Sequence, residues 1–187
     1  MHRHPHETEV KFRVDDRPAL EARLLSLGAR AGAPEYEYNL VLDDRKGSLR
    51  EKGMALRLRE TEGRGLVTLK GKKTIKAGVK TRVEIETEVD LPRRMLSVFE
   101  ALGYDIRFRY EKRRATWKFE DPGRPVVVID ETPIGLFAEI EGEDPAIRRL
   151  AAELDVREGE FLKDSYLSLY RLAREKDSTL PPDMVFR

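Results

Sequence analysis

The sequence predicts an α+β protein in which charged strands form a sheet that closes into a barrel, with helices packed outside. Three observations predict this fold class. Seven segments alternate between apolar and polar side chains, as strands with one buried face do. In most of these strands the polar positions hold acids and bases, where a solvated face would mix in Thr, Ser or Gln. Four further segments place apolar residues at helical spacing, so they can cover the apolar face of the sheet.

The composition indicates one domain and disfavours several classes of protein. The 187 residues fit a single domain, expected over residues 1–187, with a flexible N-terminus at 1–5 and an irregular tail at 176–187. A net charge of +1 disfavours duplex nucleic acid as a partner, because duplex-binding proteins carry a clear basic excess. The absence of cysteine excludes disulfides and thiolate metal sites. No apolar run reaches the roughly 18 residues of a membrane span and no signal peptide is visible, so we expect a cytoplasmic protein without a membrane partner.

The first strand shows the charged pattern most clearly. In "HETEVKFRVDD", residues 6–16, one parity holds two acids and then two bases, Glu7, Glu9, Lys11 and Arg13. The other parity holds Thr, Val, Phe and Val. The six later strands are predicted at residues 54–60, 66–72, 81–91, 110–119, 126–131 and 135–143.

The charged faces of these strands would line a tunnel if the sheet closes, because the helices cover the opposite face. An enclosed charge is costly unless it is paired or binds a ligand. The predicted inward bases are Lys11, Arg13, Arg57, Arg59, Lys70, Arg82, Lys112 and Arg114, and the acids are Glu7, Glu9, Glu84, Glu86, Asp130, Glu139 and Glu141. An anion with many oxygens would satisfy the bases, and hard divalent cations such as Mg²⁺ or Mn²⁺ would satisfy the acids. A triphosphate that carries a divalent metal meets both needs.

The predicted helices are residues 17–27, 92–102, 145–154 and 159–175. The first follows Asp16, a residue type that caps helix N-termini, and stops at Gly28. Between the third and fourth strands, "GKKTIKAGVK" at residues 71–80 is either a basic loop that attracts an anionic substrate or a plain hairpin loop.

The segment "ETEVK" matches the ExExK signature of the CYTH superfamily, the triphosphate tunnel metalloenzymes, which includes class IV adenylyl cyclases and thiamine triphosphatases. The segments "LRLR", "TLKG", "RVEIE", "YEKRR", "VVIDE" and "IGLFAEIEG" then follow in the family's order. The resemblance therefore covers residue 7 to about residue 170.

This resemblance implies a closed eight-stranded antiparallel β-barrel, a bound Mg²⁺ or Mn²⁺, and a triphosphate substrate. The metal ligands that we predict are Glu7, Glu9, Asp130, Glu139 and Glu141. The triphosphate-binding residues would be Lys11, Arg57, Arg59, Lys70, Arg82, Lys112 and Arg114, of which Lys11, Arg59, Lys70 and Lys112 are the catalytic candidates. The supporting residues would be Glu84, Glu86 and Tyr166. A homodimer is expected from the resemblance only.

Three functions follow from these predictions. "NLVLDD", "GMALRLR" and "IGLFAEIEG" are most similar to the class IV cyclase branch, which implies conversion of ATP to cyclic AMP and pyrophosphate. The first alternative is a triphosphatase that hydrolyses thiamine triphosphate, inorganic tripolyphosphate or a nucleoside triphosphate. The second is a non-catalytic module that binds polyphosphate or nucleotides.

Several residues keep an alternative role at this point. Glu84 and Glu86 are as well explained as salt-bridge partners of neighbouring bases. Asp130 could cap the turn that follows its strand, and Tyr166 could serve packing alone. His2, His4 and His6 alternate as a chelating group would, but a mobile terminus is the simpler interpretation.

Overall fold

The computed structural model describes residues 6–187, so the predicted flexible terminus with His2 and His4 lies outside the described residues. The strands are β1 (His6–Arg13), β2 (Arg30–Ala31), β3 (Glu35–Asp44), β4 (Ala55–Thr61), β5 (Arg64–Lys70), β6 (Thr74–Lys76), β7 (Val79–Val89), β8 (Tyr104–Lys118), β9 (Val126–Thr132) and β10 (Gly135–Glu141). The helices are α1 (Arg17–Ser26), α2 (Ser48–Glu51), α3 (Pro92–Ala101), α4 (Asp144–Glu153) and α5 (Tyr166–Lys176). Among these residues, no helix has the length and apolarity needed to cross a membrane.

The strands form one antiparallel sheet that closes on itself. The order runs β1-β10-β9-β8-β3-β4-β5-β7, and β1 also pairs with β7, which joins the two ends. The ring is closed by the register Glu9↔Glu141 on one side of β1 and Glu7↔Arg82 on the other. The short strands β2 and β6 attach outside this ring, to β8 and β7. The predicted eight-stranded antiparallel barrel is confirmed.

The outer face of the barrel is apolar and lies beneath the helices, as predicted. Under α1 and α4 the buried core joins Phe12 of β1 to Leu24 and Ile147. Under α3 a second core joins Leu58 of β4 to Phe99. Because side chains alternate across a strand, these contacts direct the charged parity of β1 and β4 toward the interior.

Helix α5 packs against a different set of residues, which have the inward parity of their strands. Phe108 and Phe137 form an apolar cluster with Tyr166 and Tyr170 of the helix. The tail contributes Met184, which is fully buried and forms a bridge to β8. Helix α5 and the tail therefore cover the inward-facing residues at one end of the barrel.

The predicted helix at residues 159–175 is wrong in its first half. Residues Glu158–Glu160 form a single 3₁₀ turn, and the helix begins only at Tyr166. The intervening backbone is tied to the barrel, since the Leu162 amide donates to the Lys11 carbonyl at 2.7 Å and Phe161 enters the outer core. These tertiary contacts outweigh the helical spacing of the apolar residues.

Strand β3 was missed by the sequence prediction, and the start of β7 was misplaced. The polar parity of β3 includes Asn39 and Val41, so the charged alternation that identified the other strands is interrupted there. The predicted loop 71–80 contains the short strand β6, and β7 already begins at Val79.

Gly65 fixes the distance between β5 and the start of α3. A Cβ atom at this position would overlap Cγ2 of Val89 and would lie 3.0 Å from Cβ of Pro92. We expect Gly65→Ala to lower the free energy of unfolding by about 1–3 kcal/mol, because the Val89 carbonyl oxygen, also 3.0 Å from the added Cβ, and the Pro92 ring are fixed to the backbone. The matched control is Gly159→Ala, whose Cβ would meet nothing within 4 Å. Denaturant unfolding of both variants measures the difference, and equal stabilities would contradict the prediction.

Candidate active site

A cavity of about 300 Å³ lies inside the barrel and brings the predicted site residues together. Of the fifteen residues predicted for metal, triphosphate or support, all except Asp130 line this cavity. The lining also includes three polar residues that were not predicted, Lys80, Tyr110 and Ser165. The sequence prediction of a charged, enclosed tunnel thus agrees with the geometry, although the role of each residue stays a prediction.

Three carboxylates converge at one part of the wall. Glu7, Glu9 and Glu141 each offer an oxygen, and these oxygens lie within 4.8 Å of one another. Burial raises the pKa of Glu141 to about 7, and the neighbouring charge of Glu139 contributes to the rise. Burial also raises the pKa of Glu7. Lys80 pairs with Glu9 and Lys70 lies 3.4 Å from Glu7, but the raised pKa values of Glu7 and Glu141 indicate that these two carboxylates are not fully compensated, which is the situation that a hard divalent cation resolves.

Glu139 lies beside this cluster but is already matched by positive charge. Its carboxylate is 3.1 Å from Lys11 Nζ and 2.6 Å from Arg114 Nη2. Burial acts to raise the pKa of Glu139, but these cations outweigh it and hold the pKa well below its usual value. Glu139 therefore lies between the carboxylate cluster and the basic wall of the tunnel, by which we mean the seven predicted triphosphate-binding residues, here Lys11 and Arg114.

Asp130 lies behind the cavity wall and is completely buried. It accepts two hydrogen bonds of 2.7 Å from the Arg114 guanidinium, one of 3.0 Å from Lys112 and one of 2.7 Å from the Tyr166 hydroxyl. Burial opposes ionisation, but Arg114 and Lys112 lower the pKa of Asp130 to about 2. Both carboxylate oxygens of Asp130 thus accept hydrogen bonds from Arg114, Lys112 or Tyr166. Asp130 was predicted as a metal ligand, but it does not belong to the three-carboxylate cluster.

Glu37, on β3, is a buried acid that the sequence prediction missed. Its side chain is 2% exposed, and its oxygens lie 3.0 Å from Arg59 Nη1 and 3.3 Å from Lys112 Nζ. The neighbouring Asn39 accepts a hydrogen bond of 3.1 Å from Arg59 Nε. In the sequence, Glu37 shares its parity with Asn39 and Val41, which are uncharged, so this strand lacks the charged row that identified the other strands. The inward position of Glu37 becomes evident only from the pairing of β3 with β4 and β8.

The other basic residues are also held by acids. Lys70 Nζ lies 2.5 Å from Glu84 and 3.4 Å from Glu7, and Arg82 Nε lies 2.9 Å from Glu84. Glu86 accepts from the Thr68 hydroxyl at 2.7 Å and lies 3.6 Å from Arg57. These distances agree with the alternative that Glu84 and Glu86 orient bases.

Lys80 was missed because it was assigned to a loop. It is 94% buried and its Nζ lies 2.6 Å from Glu9. Lys80, Arg82 and Glu84 occupy every second position. If the predicted strand 81–91 had been extended by one residue toward the N-terminus, this alternation would have predicted an inward-facing Lys80.

Arg13 corrects the predicted list of inward charges. It continues the parity of Lys11, but its side chain is exposed, lies over the ring of Phe137 at 4.9 Å and reaches the Ile134 carbonyl at 3.4 Å. Strand β1 ends at this residue, and Val14 is already hydrogen-bonded to Leu136, so Arg13 lies beyond the charged cavity.

Comparison of this chain with known proteins identifies the family to which its sequence is similar. The family model described as CYTH domain matches residues 5–166. A protein named "Putative adenylate cyclase MJ0240", from Methanocaldococcus jannaschii, is 28% identical over 173 residues, which cover 87% of this chain and 97% of that protein.

Two solved structures share the fold at lower sequence identity. A "putative adenylate cyclase" from Vibrio parahaemolyticus superimposes with a TM-score of 0.75 at 21% identity, over 90% of this chain and 99% of that one. A "putative adenylyl cyclase" from Hippeastrum, described as having a dominant triphosphatase activity, gives 0.70 at 20% identity, over 89% and 96%. At these identities the two structures support the fold alone.

Proposed function

Because this chain belongs to the CYTH domain family, we propose that it is a metal-dependent enzyme that acts on a triphosphate inside its tunnel. The reaction that we propose is that of a class IV adenylate cyclase, in which ATP becomes cyclic AMP and pyrophosphate. The observation that carries the proposal is the convergence of seven predicted basic residues and three clustered carboxylates on one enclosed cavity. The cyclase assignment is also supported by the name of the relative that is 28% identical.

The basic residues can replace the water that surrounds a triphosphate in solution. Arg57, Arg59 and Lys112 are largely buried, and Glu37 holds the latter two in fixed positions. Fixed charges in a site that excludes bulk water stabilise developing negative charge more strongly than mobile charges in water do. In the proposed reaction, the ribose 3′ hydroxyl releases its proton to water and its oxygen bonds to the α-phosphorus. The bond between the α-phosphorus and the bridging oxygen of the β-phosphate breaks, and negative charge develops on the departing pyrophosphate.

The carboxylate cluster fits a divalent metal ion, since it offers oxygen ligands and a surplus of negative charge. Glu7, Glu9 and Glu141 would hold the ion, and Glu139 lies at the boundary with the basic wall. When bound, Mg²⁺ or Mn²⁺ supplies Lewis-acid activation of an attacking hydroxyl and neutralisation of phosphate oxygens.

A hydrolase is the second candidate, and the cavity lining favours it in one respect. The lining residues are mostly charged and suit phosphates, whereas Tyr110 and Tyr166 are the only aromatic residues of the described chain in that lining. The face of the Tyr166 ring is already occupied, because Lys11 Nζ lies 3.7 Å from the ring centroid. The site therefore accounts for the triphosphate better than for a nucleobase, and water could attack the γ-phosphorus in the same tunnel.

A product assay separates the three candidates. The purified protein is incubated with ATP, thiamine triphosphate or inorganic tripolyphosphate, each with Mg²⁺ or Mn²⁺. Cyclic AMP and pyrophosphate are expected from ATP. ADP and orthophosphate without cyclic AMP would reject the cyclase in favour of the hydrolase. Metal-assisted binding without turnover of any substrate would support the non-catalytic module, and the expected homodimer can be checked by light scattering of the same sample.

Glu37 gives a prediction about how the basic wall is organised. We expect Glu37→Gln to lower kcat/KM by roughly tenfold to a hundredfold, because Arg59 and Lys112 lose the anion that positions them. Glu35→Gln is the matched control, since Glu35 lies on the same strand and is exposed. Steady-state kinetics on the best substrate measures the effect, and wild-type kinetics in a folded Glu37→Gln protein would contradict it.

A further inference from the structure

Tyr110, the first residue of the "YEKRR" segment, lies on β8 and lines the tunnel cavity, although it was not among the predicted site residues. It has the same parity as Lys112 and Arg114, so all three side chains face the interior. Its side chain is 92% buried. The residue is thus part of the wall that surrounds the proposed triphosphate.

Packing fixes the ring of Tyr110. It stacks on Phe108 with 6.0 Å between ring centroids, and it lies 6.2 Å from the ring of Tyr166. Its backbone forms the bridge to Met184 of the tail. Because the ring is held on these sides, the position of the phenol oxygen is determined before any ligand binds.

The hydroxyl of Tyr110 has an unused donor. Its oxygen lies 3.4 Å from Arg57 Nη1, from which it accepts. Among residues 6–187 it donates to no acceptor. A buried hydroxyl without an acceptor is unfavourable, so the native state gains if a ligand provides one.

The surroundings of this hydroxyl are rich in donors and poor in acceptors. Within the described chain, Arg57 Nε and Asn39 Nδ2 also have no acceptor, and Asn39 lies directly opposite Tyr110 in the β3–β8 register. Burial acts to raise the pKa of Tyr110, but the positive charges of Arg57, Lys112 and Arg59 outweigh it and lower the pKa. Glu37 supplies one carboxylate to this region, and an anionic oxygen of a ligand would give the unpaired donors of Tyr110, Arg57 and Asn39 an acceptor.

We propose that Tyr110 is a further substrate-binding residue, whose phenol donates a hydrogen bond to a phosphate oxygen in the tunnel next to Arg57. The ligand class is an oligophosphate anion, either inorganic or part of a nucleotide. This inference rests on the proposed function, because it requires a triphosphate inside the barrel. It adds a neutral donor to a set of residues that otherwise recognises phosphate by charge.

Binding of inorganic tripolyphosphate, measured by calorimetry with and without Mg²⁺, tests the inference. Tyr110→Phe removes only the hydroxyl and should weaken binding by about tenfold or more, since a hydrogen bond to a charged group is lost. The control is Tyr170→Phe, because Tyr170 contacts the same Phe108 ring but donates to the carbonyls of Pro181 and Asp183. Tyr170→Phe should leave tripolyphosphate binding within about twofold of wild type, and thermal unfolding checks that both variants fold.

A second background separates direct contact from an effect through Arg57. In an Arg57→Gln protein, Tyr110→Phe should still weaken tripolyphosphate binding if the phenol touches phosphate. Loss of the effect in that background, or unchanged binding by the single variant, would overturn the inference. If the wild-type protein binds no tripolyphosphate with or without Mg²⁺, the proposed function fails and this inference fails with it. If the wild-type protein binds tripolyphosphate and Tyr110→Phe binds it equally well, only the role of Tyr110 is rejected.

Discussion

Glu141→Gln is expected to lower metal-dependent turnover by about a hundredfold or more while making the metal-free protein no less stable. Glu141 shares the three-carboxylate cluster with Glu7 and Glu9, and their oxygens lie within 4.8 Å of one another. Its pKa is raised to about 7, with burial as the main cause and the charges of Glu139, Glu7 and Glu9 adding to it. An acid whose pKa rises on folding costs stability when it is ionised, so removing its charge relieves repulsion in the folded state.

The opposite directions of these two effects make the prediction specific. An ordinary structural residue would lose stability and activity together. Steady-state turnover with Mg²⁺ and thermal unfolding without metal measure the two effects on one preparation, and calorimetric titration with Mg²⁺ measures the metal affinity. Glu143→Gln is the control, because Glu143 is exposed and lies outside the cluster. Unchanged Mg²⁺ affinity in Glu141→Gln would remove this cluster as the metal site.

Asp130→Asn is expected to cause the largest loss of stability among the site variants, about 3–5 kcal/mol in the free energy of unfolding. The carboxylate of Asp130 is fully buried and binds Arg114, Lys112 and the Tyr166 hydroxyl. Replacing it with a neutral amide removes a fully buried counter-ion that both cations contact, leaving Lys112 with Glu37 and Arg114 with Glu139 and Glu37. Glu131→Gln is the neighbouring control: Glu131 pairs with Arg113 on the exposed side, so its loss should cost about 0.5 kcal/mol or less.

The stability difference between wild type and Asp130→Asn should depend on pH in a defined direction. The folded pKa of Asp130 is lowered to about 2 from an ordinary value of 3.8. An acid with a lowered folded pKa contributes stability above its unfolded pKa, and this contribution is lost as the pH falls through the folded value. Denaturant unfolding between about pH 5 and pH 2 should therefore show the difference shrinking toward the acid end. A difference that stays constant over this range would contradict the ionised state of Asp130.

Most of the tunnel lining could be predicted because charge alternation places the acids and bases on one face of the sheet, and the family resemblance implied that the sheet closes into an eight-stranded barrel. In β1, a period of two places Glu7, Glu9 and Lys11 on one side and the apolar residues on the other, and closure then directs the charges inward. Arg13 has the same parity but lies where β1 ends, and parity carries no information about where a tunnel stops.

What could not be predicted depends on contacts between distant strands. Glu37 is identified only when β3 is placed between β4 and β8, which sets its oxygens beside Arg59 and Lys112. Likewise, the engagement of Asp130 with Tyr166 joins β9 to α5 across the fold. Residue types alone show that acids and bases are present, but not which of them neutralise one another and which are left for a ligand.

The pairing of the first barrel strand with the last has a consequence for biosynthesis. Strand β1 is flanked by β7 and β10, so the ring cannot close until the ribosome has released the chain beyond Glu141. Until then, nascent strands carry exposed edges and unneutralised charges, and such edges invite association with other chains. We expect truncations that end before β10 to aggregate during translation, because the barrel can close only after β10 has been synthesised.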